Sequence, residues 1–122
     1  MQTKKYKIEI KDIRLYAYHG VMEQERNIGA WFTMDIRLTI NDHSCTESDN
    51  IYDTISYADV YDTIKEEMGK PSNLLENVSR RIMEALFNRF PSIEEVETTL
   101  CKETPPMGGD GLKACVILTA AR

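Results

Sequence analysis

The sequence predicts an α+β domain in which two helices cover one face of a four-stranded antiparallel sheet. Two segments with period-two alternation come first, two segments with helical spacing follow, and two more alternating segments come last. The order is therefore β-β-α-α-β-β, without an internal repeat, linker or low-complexity segment. Two hairpins that flank two helices favour a sheet with both helices on one side, and residues 1–122 are expected to form one such domain.

The first two strands are expected to form a long hairpin. Apolar residues alternate over positions 6–10 and again over 13–17, but with opposite parity, so a single buried face requires a bulge at residues 11–12. The segment 21–30 is polar and is predicted to be a loop. Alternation resumes over 31–40, where the even positions are apolar.

Two helices are predicted after a polar connection over residues 41–56. Ser56 is placed to cap the first helix, which keeps its apolar spacing until Gly69. Asn73 is placed to cap the second helix, which is expected to end before Pro91 because proline cannot continue it. Each helix has one apolar stripe that can face the sheet.

The third and fourth strands are predicted over residues 96–100 and 112–118. Lys102 continues the alternation of the third strand, so it is expected on the same face as Leu100, towards the helices. The prolines at 105–106 have no amide hydrogen for a ladder and are expected to stop the strand. The glycine-rich run MGGDG that follows is expected to be a hairpin loop rather than a phosphate cradle, because it neither follows a strand directly nor opens a helix.

The opposite face of the sheet is expected to be polar. A solvated face and a face that lines a wet channel inside an oligomer both remain open at this point. The polar side chains on this face are Thr33, Asp35, Arg37, Thr39, Glu97, Thr99, Lys113 and Thr119, and Trp31 and Ile117 interrupt them.

The composition is that of a soluble globular chain. Of the 122 residues, 42% are hydrophobic and 29% are charged, and the formal net charge is −5. This acidic balance argues against nucleic acid and against an anionic membrane surface as partners. No apolar run approaches the roughly eighteen residues of a membrane span, and residues 1–5 do not have the pattern of a secretory signal.

The three cysteines favour a cytoplasmic location. Cys45, Cys101 and Cys115 are odd in number and lack C-x-x-C spacing, which fits reduced thiols. Cys101 and Cys115 lie on neighbouring predicted strands and could face each other, but packing is the expected role of both.

The sequence has no motif for a metal, a nucleotide or a nucleophile. His19 and His43 have neither H-x-H nor H-x-x-x-H spacing, so no metal site is expected, and His19 alone fits a turn residue with a satisfied ring. Nucleophile-elbow, Walker and dinucleotide fingerprints are also missing. Four polar residues remain in unusual places, and each has an ordinary structural explanation when taken singly. They are Glu25, Tyr57, Glu76 and Lys102.

Four segments taken together resemble the dihydroneopterin aldolase family. They are AYHGVMEQE (17–25), SDNIYDTISYADV (48–60), NLLENVSRRI (73–82) and LCKETPPMGGD (100–110). The resemblance covers nearly the whole chain, and its Tyr-Ala-Asp, Leu-Leu-Glu and Lys-x-x-Pro-Pro blocks are specific in combination. It implies the tunnelling fold, in which rings of four subunits join their sheets into a barrel and stack into octamers.

The resemblance also implies an activity. The family cleaves 7,8-dihydroneopterin into 6-hydroxymethyl-7,8-dihydropterin and glycolaldehyde in folate biosynthesis, and epimerisation is expected as a side activity. The family needs neither metal nor cofactor, because the dihydropterin carries a C=N bond that accepts electrons as a lysine imine or a zinc ion does in other aldolases. The expected partners are this pterin and further copies of the chain.

The resemblance assigns roles to individual residues. Lys102 is expected to serve proton transfer with a bound water or to act as a charged electrostatic group, and Glu25 is expected to position the reacting groups. Tyr57 of a neighbouring subunit is expected to protonate or order the enol-like intermediate. The carboxylate of Glu76 is expected to accept hydrogen bonds from the 2-amino group and the adjacent ring N–H of the pterin. Further pterin contacts are expected from Val21, Ile55, Ser56, Leu74 and Leu75.

Two alternatives remain open. A dihydroneopterin triphosphate epimerase of the same fold could share the catalytic residues, although a triphosphate would require basic residues near the pocket mouth, for which Arg26 and Lys113 are modest candidates. A non-catalytic pterin- or purine-binding ring would not need Glu25, Tyr57 and Lys102 together. The zinc-dependent enzymes of this fold are not expected because the sequence has no histidine cluster.

Overall fold

A computed structural model of the chain describes residues 1–103 and 111–122. Its strands are β1 (Tyr6–Ala17), β2 (Ala30–Ile40), β3 (Ile93–Glu103) and β4 (Lys113–Ala121), which pair antiparallel in the order β1-β2-β3-β4. Its helices are α1 (Glu23–Ile28), α2 (Cys45–Ser48), α3 (Tyr57–Met68) and α4 (Leu75–Arg89), with a 3₁₀ turn at Ile51–Asp53.

The predicted α+β class and the order of the main elements are confirmed, with two additions. The segment 21–30, predicted to be a loop, contains α1, and the connection 41–56 contains α2 and the 3₁₀ turn. These helices have six and four residues. Helices this short cannot show an apolar period, so no periodicity in the sequence predicts them.

The predicted bulge lies where β1 changes parity. Residues 11–12 lie opposite Asp35 alone, between two ordinary pairs. Asp12 takes a φ of 60°, and its amide donates a hydrogen bond to Asp35 Oδ1 at 2.8 Å. The extra residue reverses the alternation of the strand, so Ile8 and Ile13 are both buried in the core.

The long helices begin and end close to their predicted positions. Ser56 stands at the N-cap of α3, although its side chain makes no capping bond, and Gly69 follows the last turn. The prediction that Asn73 caps α4 is wrong, because the N-cap is Leu74. The Asn73 side chain instead accepts a hydrogen bond from Arg26 Nη1 at 2.5 Å. The Asn73 side chain therefore binds a distant residue on α1 instead of capping α4.

The core lies between the sheet and the two long helices. Alternate residues of β2 and β3 meet the apolar stripes of α3 and α4, and burying each side chain of this size stabilises the fold by about 1.5–3 kcal/mol. The same alternation buries Lys102, as predicted. The buried side chains include Met34, Ile36, Leu38, Val60, Ile64, Ile82, Leu86, Val96 and Leu100.

The opposite face of the sheet is polar, as predicted. Arg37 forms an ion pair with Glu9 at 3.3 Å, and Arg14 forms one with Glu103 at 2.9 Å. Ion pairs this exposed each contribute at most about 1 kcal/mol. Their effect is chiefly to balance charge on a face that carries few apolar groups.

One prediction about the cysteines is wrong. Cys101 and Cys115 form a disulfide with their Cα atoms 4.0 Å apart, whereas reduced thiols in a packing role were expected. The two residues are direct partners in the β3–β4 register, which places both side chains on one face at bonding distance. Cys45 is a free cysteine.

The predicted glycine-rich hairpin loop and the proline stop at 105–106 fall on residues 104–110, outside the described part of the chain. None of the helices within 1–103 and 111–122 has the length and apolar character that crossing a bilayer requires.

Candidate active site

Lys102 brings a buried ammonium group to the end of β3. Lys102 as a whole is only 8% exposed, because strand alternation directs its side chain to the core face of the sheet. Its Nζ donates to the Glu25 carboxylate and, at 3.4 Å, to the carbonyl oxygen of His19. The Phe32 ring lies beneath, with its centroid 5.7 Å from Nζ. The ammonium group is thus held by the Glu25 carboxylate and the His19 carbonyl oxygen, next to the apolar ring of Phe32.

Glu25 reaches Lys102 from the first turn of α1. One oxygen, Oε2, accepts from Lys102, and the other, Oε1, accepts from the Met22 amide at 3.2 Å. The hydrogen bond from Lys102 holds the pKa of the Glu25 carboxyl below its ordinary value, although partial burial opposes this. Glu25 is therefore ionised throughout the neutral pH range.

Gly20 allows this close approach. A Cβ atom at position 20 would lie 2.5 Å from the Glu25 Cβ and 2.6 Å from its Cδ, well inside van der Waals contact. The glutamate packs directly on the glycine backbone, so the turn after β1 and the start of α1 fit together only without a side chain at this position.

A cleft of about 220 Å³ opens beside the Lys102–Glu25 pair. Six of the nine predicted site residues line it. At its other end, Glu76 lies in the first turn of α4, where the helix macrodipole favours a carboxylate. Glu76 is exposed, and its carboxylate makes no hydrogen bond or ion pair to any residue that the structure describes. The lining residues are His19, Gly20, Val21, Glu25, Asn73, Leu74, Leu75, Glu76, Lys102 and Val116.

The other three predicted residues lie elsewhere in the chain. Tyr57 is 65% exposed at the start of α3 and lines a separate cavity of about 570 Å³ against β1, together with Tyr6 and Thr54. Ile55 is 5% exposed and belongs to the core. Ser56 is part-buried beside it. The Tyr57 segment and the Lys102 cleft are therefore two separate surfaces of one chain.

His19 lines the cleft, although the sequence predicted only a turn residue there and not a site residue. It is 1% exposed, and its Nδ1 accepts a hydrogen bond from the Ser72 amide at 3.1 Å. Its Nε2 is buried without a hydrogen-bond partner among the residues that the structure describes, so the expectation of a satisfied ring holds for only one of the two nitrogens. Burial, reinforced by the positive charges of Arg81, Arg26 and Lys102, lowers the pKa of His19 to about 4. The sequence signal that could have indicated this role is the histidine–glycine pair at 19–20, directly after an apolar strand.

The side chains that the structure describes can be examined for a metal site. Within 1–103 and 111–122, no three side chains of His, Cys, Asp or Glu converge in a group that could hold a metal ion. The cleft thus presents a lysine, two carboxylates, backbone groups and apolar walls.

The fold and the cleft define a class of protein. The antiparallel sheet of four strands with its long helices on one face is the arrangement that the resemblance to the tunnelling fold implied, and an ammonium–carboxylate pair lies beside a cleft at the end of β3.

Comparison with known proteins gives the family. The family model described as FolB, dihydroneopterin aldolase, matches residues 8–119. A dihydroneopterin aldolase of Streptococcus pyogenes serotype M1 is 35% identical over 104 residues, which are 84% of this chain and 87% of the relative. The chain belongs to the dihydroneopterin aldolase family.

Solved structures agree on the fold. Escherichia coli dihydroneopterin aldolase, crystallised with neopterin, superposes with a TM-score of 0.84 at 24% identity over 95% of this chain and 99% of that one. A uricase from Bacillus fastidious has a TM-score of 0.72 at 16% identity, and 94% of this chain matches 43% of it. Because the fold also serves that protein, the site and the family rather than the fold carry the functional argument.

Proposed function

We propose that this protein cleaves 7,8-dihydroneopterin into 6-hydroxymethyl-7,8-dihydropterin and glycolaldehyde. The observation that carries the proposal is the enclosed Lys102 ammonium, held by Glu25 and the His19 carbonyl at one end of a cleft with Glu76 at the other. The family membership supports it, as does the neopterin bound to the E. coli relative. The proposal includes a place in folate biosynthesis and in the cytoplasm, although the Cys101–Cys115 disulfide removes the cysteine pattern as support for that location.

The two ends of the cleft have different tasks in this proposal. The Glu76 carboxylate accepts hydrogen bonds from the 2-amino group and the neighbouring ring N–H, and each such bond contributes about 1.5–3 kcal/mol. Leu74, Leu75 and Val21 contact the ring. The trihydroxypropyl side chain of the substrate then extends towards Lys102, so recognition and chemistry occur at opposite ends.

The reaction requires a base, an electron acceptor and an acid. The hydroxyl on the second side-chain carbon loses its proton, the bond between the first and second carbons breaks, and the electron pair moves into the C=N bond of the dihydropterin ring. Protonation of the first carbon completes the product. Lys102 and a bound water serve the proton transfer at the hydroxyl, Glu25 positions the reacting groups, and Tyr57 protonates the intermediate. Because the substrate itself accepts the electrons, neither metal nor cofactor is required.

The same bond cleavage explains an epimerase side activity. If the aldehyde rotates before it leaves and the carbon–carbon bond re-forms, the hydroxyl-bearing carbon is inverted. We therefore include epimerisation of 7,8-dihydroneopterin in the proposal.

A second copy of the chain completes the proposed site. Tyr57, which follows Ile55 and Ser56 in the chain, lines a cavity separate from the Lys102 cleft. Within the described residues, β1 and β4 stand at the two ends of the sheet order, so each can pair with a neighbouring subunit. A ring of four, stacked into an octamer, would enclose the polar sheet face in a barrel.

One assay tests the proposal. The purified protein is incubated in the presence of EDTA with 7,8-dihydroneopterin and, separately, with its triphosphate. Glycolaldehyde from the unphosphorylated substrate is expected. Inversion of the triphosphate without cleavage would make the protein the epimerase, and pterin binding without turnover would make it a binding module. Loss of all activity on EDTA treatment, with recovery on metal addition, would contradict metal independence.

A further inference from the structure

Two hydrogen bonds join the turn after β1 to the connection between α3 and α4. The Ser72 amide donates to His19 Nδ1 at 3.1 Å, and the Gly20 amide donates to the Ser72 carbonyl at 3.0 Å. Ser72 is 8% exposed and His19 is 1% exposed, so both bonds are shielded from water. Shielded bonds of this kind hold their partners in one arrangement.

The two segments that these bonds join are the two walls of the cleft. The turn after His19 carries Val21 and Glu25, and the His19 carbonyl accepts from Lys102 Nζ. The connection after Ser72 leads directly to Leu74 and Glu76. The His19–Ser72 link therefore fixes the Lys102–Glu25 pair relative to the carboxylate at the far end.

Ser72 is itself tied to both long helices. Its Oγ donates to Asn77 Oδ1 at 2.7 Å and accepts from Arg81 Nη2 at 2.8 Å. Arg81 also donates to the carbonyl oxygens of Glu67 at 2.9 Å and Lys70 at 2.7 Å. The link thus starts from a rigid base, because Asn77 and Arg81 of α4 hold the Ser72 side chain and Arg81 in turn bonds the last turn of α3 at Glu67.

We propose that His19 is a positioning residue whose Nδ1, by accepting the Ser72 amide, sets the spacing between the Lys102–Glu25 pair and Glu76. This inference rests on the function proposed above, because the spacing matters only to a ligand that spans both ends of the cleft. Pterin binds at the Glu76 end, and the link places the bond to be cleaved beside the ammonium group.

The chemistry of the ring makes this role specific. An Nδ1 that accepts a hydrogen bond carries no proton, so His19 is in the neutral form with its proton on Nε2. The low pKa of His19, about 4, keeps it in that form throughout the neutral range. An asparagine side chain can place its Oδ1 near the position of Nδ1, a glutamine places its amide near Nε2 instead, and a leucine has no acceptor.

The experiment compares His19→Asn, His19→Gln and His19→Leu, with His43→Leu as the matched control at the other histidine. The kcat for 7,8-dihydroneopterin is expected to fall about 10²-fold in the Gln and Leu variants, because a misplacement of about 1 Å can cost that much. It is expected to stay within about fivefold of the wild type in the Asn variant. KM should change much less than kcat, and His43→Leu should behave as the wild type.

Ligand affinity gives a readout that does not depend on turnover. Neopterin carries the side chain and spans the cleft, whereas guanine has the same amino-oxo edge without a side chain. His19→Leu and His19→Gln should weaken neopterin binding about tenfold and leave guanine binding nearly unchanged, and His19→Asn should restore the neopterin affinity. All measurements are made well below each variant's melting temperature, so that lower stability does not imitate the effect.

Each result has one interpretation. Equal loss of kcat in all three His19 variants, or equal loss of neopterin and guanine affinity, would overturn the positioning role and leave a merely structural one. A wild-type protein that does not cleave dihydroneopterin would refute the proposed function alone, since the ratio of neopterin to guanine affinity still tests the spacing.

Discussion

At the residue scale, the site depends on one enclosed ion pair. Lys102 and Glu25 have side chains only 11% and 16% exposed, and removing either partner leaves a charge with little water around it. Because the pKa of Glu25 is lowered in the folded state, the stabilisation from the pair is present above the ordinary glutamate range and is lost as the pH falls through the lowered value. The pair should therefore persist across the neutral range.

The two ends of the cleft can be separated by mutation. We expect Lys102→Ala to reduce kcat by about 10²-fold or more with little effect on pterin affinity, because the ammonium acts on the reacting groups. We expect Glu76→Ala to raise the Kd for neopterin by about 10²-fold or more, because two charge-assisted hydrogen bonds are lost. Steady-state kinetics and calorimetry measure the two effects. Glu84→Ala, an exposed glutamate on the same helix, is the control, and the opposite pattern would reverse the assigned roles.

Gly20→Ala tests how Glu25 is placed. The new methyl group would overlap the Cβ of Glu25, which is close to the backbone and cannot swing away, so α1 has to shift. We expect kcat to fall about tenfold or more, because the lysine loses its carboxylate partner in the reactive geometry. Gly69→Ala, where a Cβ would meet only ordinary contacts of 3.4 Å or more, is the control. Unchanged kcat in Gly20→Ala would show that the Glu25 contact is dispensable.

His19 should also leave a signature in the pH dependence of stability. Its pKa is about 4 in the folded protein and near 6.5 when unfolded, so the unfolded state binds the proton first as the pH falls. The contribution is fully present above pH 6.5 and decreases between pH 6.5 and 4, by roughly 3 kcal/mol in all. Urea unfolding of the wild type and of His19→Asn should show free energies that converge across this window. Parallel curves would contradict the assignment.

At the element scale, the paired strands β3 and β4 carry Lys102 and are cross-linked beside it. Cys101 precedes Lys102 in β3 but points to the opposite face, and its disulfide partner Cys115 lies directly across on β4. The cross-link therefore restrains the strand that presents Lys102 without entering the cleft. At the other edge of the sheet, the β1 bulge keeps apolar side chains such as Ile13 on the buried face in the second half of that strand.

The disulfide predicts a redox-dependent stability. The two cysteines are 14 residues apart, and closing a loop of that size stabilises the fold by about 3 kcal/mol in the chain-entropy estimate. We expect dithiothreitol to lower the melting temperature of the wild type by several degrees and to leave a Cys101→Ser/Cys115→Ser double variant unaffected. Cys45→Ser, which removes the free cysteine, should respond as the wild type does. A wild type that does not respond would show that the thiols are unpaired in solution.

At the scale of the whole molecule, one chain holds two incomplete parts of the proposed site. The cleft contains Lys102 and Glu76, and the exposed Tyr57 lines a different cavity beside β1. Two such surfaces on one chain suit a closed ring, in which each subunit gives its tyrosine to the next cleft.

Mixed assemblies test this arrangement. Lys102→Ala and Tyr57→Phe are each expected to be nearly inactive alone. Co-expressed in equal amounts, they should recover about a quarter of the wild-type activity, because that fraction of interfaces pairs an intact lysine with an intact tyrosine. Light scattering should give the mass of a tetramer or octamer. A mixture as inactive as its components would place both residues in the site of one chain, as would an active monomer.

The sequence by itself determined most of the fold and most of the residues that line the Lys102 cleft. Strand and helix periods follow from side-chain alternation, which is local, so the four strands, the two long helices, the bulge at residues 11–12 and the burial of Lys102 were all predictable. The four family-like segments suggested the roles proposed for Lys102, Glu25, Tyr57 and Glu76, which composition alone could not suggest.

Tertiary structure alone decided how distant segments meet. The engagement of Asn73 by Arg26, the bond between Cys101 and Cys115, and the link from Ser72 to His19 join residues that are far apart in the chain. The contact between Asn73 and Arg26 replaces a predicted helix cap, and the disulfide replaces two predicted thiols. No local pattern encodes such pairings, because they depend on the register of the sheet and on how the helices pack across it. For the same reason, only the folded chain reveals that its tyrosine and its lysine lie on separate surfaces.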